Sequence, residues 1–223
     1  MGMDAPIPMP TDTAHLTLMQ WLSPGYPVGA FAYSHGLERV VESGVITDAA
    51  GFEAWLSDIL THGTGRSDAI LLHNAHRAEN PRRVQELDDL ARALSPSSER
   101  RMETELQGAA FAQTTAAIWG SDGAPCAYPV AVGAAARRAG IDCSLTCAAY
   151  LHAFAANLTS AAIRLIPLGQ TEGQAVLARM TPLCQQIAED SQPLTTDDIG
   201  SSTFAADIAS MQHETQYSRQ FRS

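Results

Sequence analysis

The sequence predicts an all-α fold: a single-domain bundle of about eight or more helices around one buried central helix. Three observations carry that expectation. Apolar residues recur at three- and four-residue spacing through nearly the whole chain. No stretch alternates apolar and polar residues with β-branched enrichment between turn dipeptides, so strand signals are nearly absent. Residues 144–166, SLTCAAYLHAFAANLTSAAIRLI, are apolar on more than one face, the pattern of a helix covered on several sides.

The elements follow in order. HLTLMQWL places Leu16, Met19 and Trp21 or Leu22 on one side of a short helix that Ser23-Pro24 stops. In SHGLERVVES, Ser34 is the expected N-cap, Leu37, Val40 and Val41 the inner face, and Gly44 the C-terminal stop; Glu38 sits where the helix dipole favours an acid. Asp48 caps a helix with Phe52, Trp55, Leu56, Ile59 and Leu60 on its apolar face. A break at Gly63-Thr64-Gly65 precedes SDAILLHNAHRAE, and Pro81 opens PRRVQELDDLARAL at a helix-first position. Ser95-Pro96 leads into a long helix over 97–119, which a turn at 120–125 ends. The alanine-rich YPVAVGAAARRAG suits a helix squeezed between neighbours, and LGQTEGQAVLARMTPLCQQIAE a last large one with Pro182 as a kink or break. Three regions result: a flexible tail over 1–13, a helical core over 14–190, and a linker with a carboxyl-terminal interaction helix and tail over 191–223. The polar stretch SQPLTTDDIGSST, 191–203, is expected to detach the carboxyl end from the bundle.

Composition excludes several functions. A formal charge of −10 argues against a nucleic-acid binder and against attachment to anionic lipid. All fourteen basic residues are arginine, so P-loop, Schiff-base and lysine general-base chemistry are removed together. Neither a P-loop nor a G-x-G-x-x-G pattern occurs. The amino terminus lacks the profile of a signal peptide, no run reaches the length of a membrane span, and the four cysteines lack C-x-x-C spacing; a cytoplasmic protein with reduced thiols is expected.

Catalytic equipment is not legible. His73 and His76 share a helix face with Asp68 about a turn earlier, so they form a weak candidate metal pair, with solvent-facing histidines as the plainer reading. Cys143 and Cys147 read as small core residues, and no G-x-S-x-G elbow is present. His213-Glu214 is adjacent along a helix and reads as a solvated polar pair, because neighbouring helical residues do not face each other. No tightly bound cofactor is expected.

Two segments instead read as interaction surface. SPGYPVGAFAYSHGLE, residues 23–38, spaces Tyr26, Phe31 and Tyr33 with residues that let the backbone turn. In FAADIASMQHETQYSRQFRS, Phe204, Ile208, Met211 and Thr215 form a helical stripe, and Tyr217, Arg219, Phe221 and Arg222 follow. Rings and guanidinium groups together are what interface hot spots favour.

Three blocks in this order, SPGYPVGAFAYSHGLE, RLIPLGQTEGQ (164–174) and DIASMQHETQYSRQFRS (207–223), resemble the UreF family of urease accessory proteins, with similarity from near residue 14 to the carboxyl terminus. The resemblance implies an all-helical homodimer without activity of its own. Such a protein binds the accessory protein UreD/UreH, recruits the GTPase UreG, docks on apo-urease and couples GTP hydrolysis to nickel delivery, with internal passages proposed to carry the metal. Carried over by position, Gly29, Phe31, Ser34, Gly36, Leu37 and Glu38 match the first block, and Tyr26 and Tyr33 join them as candidate partner-binding residues. Arg164, Pro167, Gly169, Gln170 and Gly173 match the second as a structural signature. His213, Glu214, Tyr217, Arg219, Phe221 and Arg222 match the third, whose tail is expected to fold beside the ring-rich loop and receive UreD/UreH. Gln220 stands where an apolar residue is expected, and a proline expected shortly before Asp207 is missing. The alternative is a helical metal-handling protein that binds nickel itself through His73, His76 or the cysteines.

Overall fold

Side-chain caps begin four of the longer helices, and the first of them, Asp48, is the cap that the sequence marks. In the computed structural model, which describes residues 13–121 and 123–223, Asp48 accepts the Gly51 N–H, Asn80 that of Arg83, Ser97 that of Arg100 and Asp142 that of Leu145. The helices are α1 (Thr13–Trp21), α2 (Leu37–Glu42), α3 (Ala49–His62), α4 (Thr64–Arg77), α5 (Pro81–Ala93), α6 (Ser98–Trp119), α7 (Tyr128–Ala139), α8 (Cys143–Leu165), α9 (Gln170–Ser191) and α10 (Phe204–His213). Short 3₁₀ turns lie at Ala30–Ala32 and Thr196–Asp198, and the described residues contain no strand, so the fold is all-α. The expected tail over 1–13 lies outside the described residues apart from Thr13, which opens α1.

The core forms where apolar faces meet. α8 exposes only Ser160 and Arg164, as its all-round apolar pattern requires, and it packs along α9 and against α3, α4 and α7. α4 and α7 share the centre with it. α4 touches α3, α5, α7, α8 and α9, and α7 buries an unbroken run from Pro129 to Ala136. Gly133 explains how α4 and α7 approach so closely, since a Cβ there would stand 2.4 Å from the Leu72 carbonyl oxygen. Among the described residues no helix is long and apolar enough to cross a membrane.

Several expectations need correction. α1 buries Leu18 and Trp21, whereas Leu16 and Met19 are 53% and 70% exposed; Trp21 fixes the helix's rotation by packing edge-on against Phe111 and Trp119, both at 5.5 Å. The break before α4 shrinks to Gly63, which ends α3 and precedes Thr64. α9 runs through Pro182 as one helix. The stretch 191–203 does not detach the carboxyl end. Arg77 donates to the Gln192 and Leu194 carbonyls, Asn74 to Leu194, Arg66 to Asp198, and the Ser202 N–H to the His62 carbonyl, so this segment is strapped along α3 and α4. It delivers α10 onto α2 and α6.

Candidate functional site

The ring-rich loop and the carboxyl tail lie side by side. The Ser34 N–H donates to the Ser223 carbonyl at 2.8 Å, the Arg222 N–H to the Ala32 carbonyl at 2.8 Å, and the Ser34 hydroxyl also donates to the Ser223 carbonyl. His35 and Gly36 turn the chain into α2 with φ of 59° and 76°. Glycine is required at 36 for a second reason: a Cβ there would stand 2.9 Å from the backbone nitrogen of Ser210 on α10. Ser34 does not cap α2 as expected, because the helix starts at Leu37 with Gly36 in the cap position; its hydroxyl accepts the Glu38 N–H at 3.3 Å. Burial holds the His35 imidazole well below its usual value, hence neutral near pH 7.

Three buried glutamates hold the tail. Glu38 accepts the backbone N–H groups of Gln220 at 2.7 Å and Phe221 at 3.0 Å, and faces His213 Nε2 at 3.2 Å. Glu99 faces His213 Nδ1 at 2.6 Å and pairs with Arg219 at 2.7 Å. Glu103 pairs with Arg100 and accepts the Ser223 hydroxyl at 2.6 Å and the Gln107 amide at 3.2 Å. Phe221 is buried beneath Arg164, whose guanidinium lies 4.3 Å from the ring centroid and also donates to the Phe31 carbonyl.

The candidate residues therefore divide. Tyr26, Tyr33, Ser34, Gly36, Glu38, His213 and Phe221 are buried within this chain, so they build the junction rather than its outer surface. The reading of His213-Glu214 as a solvated pair is overturned: His213 is fully buried between two glutamates, and Glu214 accepts the Ser98 N–H at the start of α6. Outside stand Phe31, 70% exposed, Tyr217, fully exposed, and the faces of Arg219 and Arg222; Gly29 is half-buried with φ 72°. Phe204, Ile208 and Met211 extend this surface along α10 as an exposed stripe. The second block makes the α8–α9 turn: Pro167, Gly169 and Gln170 are exposed, while Gly173 lets Ile163 of α8 approach. Gln220 points outward and contributes its N–H, and α10 starts at Phe204 without the expected proline.

The weak metal candidates are engaged elsewhere. His73 is buried, not solvent-facing, with Nε2 2.9 Å from the Ala188 carbonyl and Nδ1 3.1 Å from Cys143 Sγ; His76 Nε2 meets the Ile141 carbonyl at 2.9 Å. A carbonyl only accepts, so each Nε2 carries the proton. Burial pushes the Cys143 thiol up to about 12 and Cys184 to about 11, which leaves both as neutral thiols. Among the described residues no group of three or more His, Cys, Asp and Glu side chains is placed to hold a metal ion.

A cavity of about 550 Å³ lies under the loop, between α1, α6 and α8. Tyr26 and Phe31 line it, together with Tyr128, Tyr150 and Phe154, and Asp68, Arg100 and Glu103 border it. A smaller one of about 120 Å³ shares Asp68, Arg100 and Thr104 with it. Sequence reasoning missed Glu99, Glu103 and Asp68 as parts of these arrangements.

The sequence model of the UreF family matches residues 46–181. The chain is 52% identical to the urease accessory protein UreF of Ruegeria pomeroyi over 214 residues, covering 96% of this chain and 99% of that protein. It is 54% identical to the protein of the same name from Roseobacter denitrificans, covering 96% of each chain. For that of Methylobacterium sp. strain 4-46 the identity is 47%, over 93% of this chain and 88% of the relative.

Proposed function

The chain belongs to the UreF family of urease accessory proteins, and on that premise we propose that it acts without catalysis of its own as a scaffold in nickel delivery to urease. In this reading it dimerises in the cytoplasm and binds a UreD/UreH-type accessory protein. The pair recruits a UreG-type GTPase, and the assembly couples GTP hydrolysis to loading of apo-urease. Nickel is cargo of the assembly rather than a tightly held ligand of this chain.

The observation that carries the reading is the junction itself. The loop and tail are locked to one another by Glu38, Glu99 and Glu103, and the locked body turns Phe31, Tyr217 and the α10 stripe outward. Large apolar side chains held rigidly in solvent lose little entropy on docking. The partner surface is therefore assigned to Phe31, Phe204, Ile208, Met211 and Tyr217, with Arg219 and Arg222 as charged flanks.

Co-purification of the full chain with its UreD/UreH-type protein, with mass read by light scattering, tests this. Truncation at Ser202 would also strip Phe221 from the core, so substitutions at exposed positions are cleaner. Wild type is expected to form a complex built on a dimer. Ile208→Ser with Met211→Ser, and separately Phe31→Ala, should leave the melting curve within about 0.5 kcal/mol of wild type and weaken capture at least tenfold. A wild-type chain that stays alone beside a demonstrably folded partner sinks the reading.

A further inference from the structure

Asp68 of α4 borders the 550 Å³ cavity and is poorly matched by its own protein. Its Oδ2 accepts the Tyr150 hydroxyl at 2.6 Å, while its other oxygen has no hydrogen-bond partner and the carboxyl joins no ion pair among the described residues. The one guanidinium lining the cavity, Arg100, pairs through Nη1 with Glu103, and its buried Nε has no hydrogen-bond partner among the described residues. Burial pushes the Asp68 carboxyl up to about 6, so near pH 7 it is still mostly ionised. A part-buried carboxylate whose nearest cation, Arg100, is already paired with a second acid is left short of counter-charge.

The walls supply what would complement a positive charge. Tyr26, Phe31, Tyr128, Tyr150 and Phe154 all line this space, with Tyr128 and Tyr150 in ring contact at 5.3 Å. Ring faces attract cations, most strongly where water is excluded. Leu18 and Leu145 add aliphatic surface, His15, His152, Gln107 and Asn157 add polar lining, and the volume falls in the range of small-molecule pockets.

We propose that this cavity is a binding site for a small organic monocation on an apolar stem, an alkylammonium or alkylguanidinium, its head on Asp68 and its stem among the rings. An anionic ligand would meet two acids, Asp68 and Glu103, against the single guanidinium of Arg100, which Glu103 already pairs. A bare metal ion would find too few donors, because Glu103 already serves Arg100, Gln107 and Ser223. Phe31 belongs both to this lining and to the docking surface assigned above, but the other docking residues do not line the cavity, so the two readings can fail separately.

Calorimetric titration of the full chain at pH 7.5 with hexylammonium, hexanoate, hexanol and nickel(II) chloride tests it. Hexylammonium is expected to bind at least tenfold more tightly than hexanoate or hexanol. Asp68→Asn, which keeps an acceptor for Tyr150, should reduce its affinity to that of hexanol, and Leu145→Trp, which fills the space from another wall, should abolish all three. Equal affinities for the three organic probes, no binding of hexylammonium, indifference to both substitutions, or tighter binding of nickel that depends on Asp68 would each overturn the proposal.

Discussion

Glu38 and His213 meet at 3.2 Å, Oε2 to Nε2, across 175 residues of sequence. The same carboxylate takes two backbone N–H groups of the tail, so one side chain of α2 ties α10 and residues 220–221 together. Removing it leaves the Phe221 N–H buried and unpaired, and takes an acceptor from the Gln220 N–H and from buried His213. Glu38→Ala is expected to destabilise the chain by about 3–5 kcal/mol and Glu38→Gln by less, since the amide retains one acceptor. Hydrogen exchange at the Gln220 and Phe221 amides should accelerate in both, beyond what a urea melt assigns to global unfolding. Unchanged exchange there would remove Glu38 from its role as tail anchor.

Gly36 and Gly44 share a φ of 76° but not their surroundings, and this difference is measurable. Gly44→Ala meets nothing within 4 Å and should cost about 1–2 kcal/mol for the left-handed backbone alone. Gly36→Ala adds an overlap with the Ser210 backbone and should cost about 1–3 kcal/mol more. Equal urea midpoints for the two variants would mean that α10 is not held against the start of α2.

Asp68 makes stability pH-dependent with a definite sign. Its folded-state value of about 6 lies above the ordinary 3.8, so between those values the folded chain holds a proton that the unfolded chain has lost. The associated stabilisation is full below pH 3.8 and disappears as pH rises through 6. Asp68→Asn should therefore match wild type near pH 3.5 and exceed it by about 3 kcal/mol at pH 7. A constant difference across that range in denaturant titrations would show that Asp68 ionises normally.

The Cys143, Cys147 and Cys184 thiols should resist modification in the folded state. Burial raises all three above the ordinary thiol value, and Cys147 is fully enclosed. Titration with a chromogenic disulfide reagent at pH 8 is expected to label them at least a hundredfold more slowly than in urea. Rapid labelling of Cys143 in native buffer would instead mean that His73 takes its proton.

Legibility in the sequence followed how far each signal reaches. α3 was readable because one segment carries both its cap, Asp48, and a face of Phe52, Leu56, Ile59 and Leu60. The rotation of α1 was not, because Leu16/Met19 and Leu18/Trp21 have the same spacing; Phe111 and Trp119, far along the chain, decide between them. The adjacency of loop and tail came from family resemblance alone. Its means of attachment stayed hidden, since Glu99 and Glu103 sit in SERRMETE, which has the look of an exposed charged face, yet both are buried. His73 likewise presents no local sign that a carbonyl on α9 will enclose it.

Closure of Ser34 on Ser223 also sets an order of events during synthesis. The loop at 23–38 leaves the ribosome well before residues 222 and 223, to which the N–H and carbonyl groups that finish it belong. Until residues 213–223 arrive, the Ala32 carbonyl, the Ser34 N–H and the Glu38 carboxylate lack their native partners, and pairing so distant in sequence is slow to form. The nascent chain thus carries an unfinished, ring-rich segment from the time residue 38 is made until residues 220–223 join it, and the native surface of this junction is complete only then.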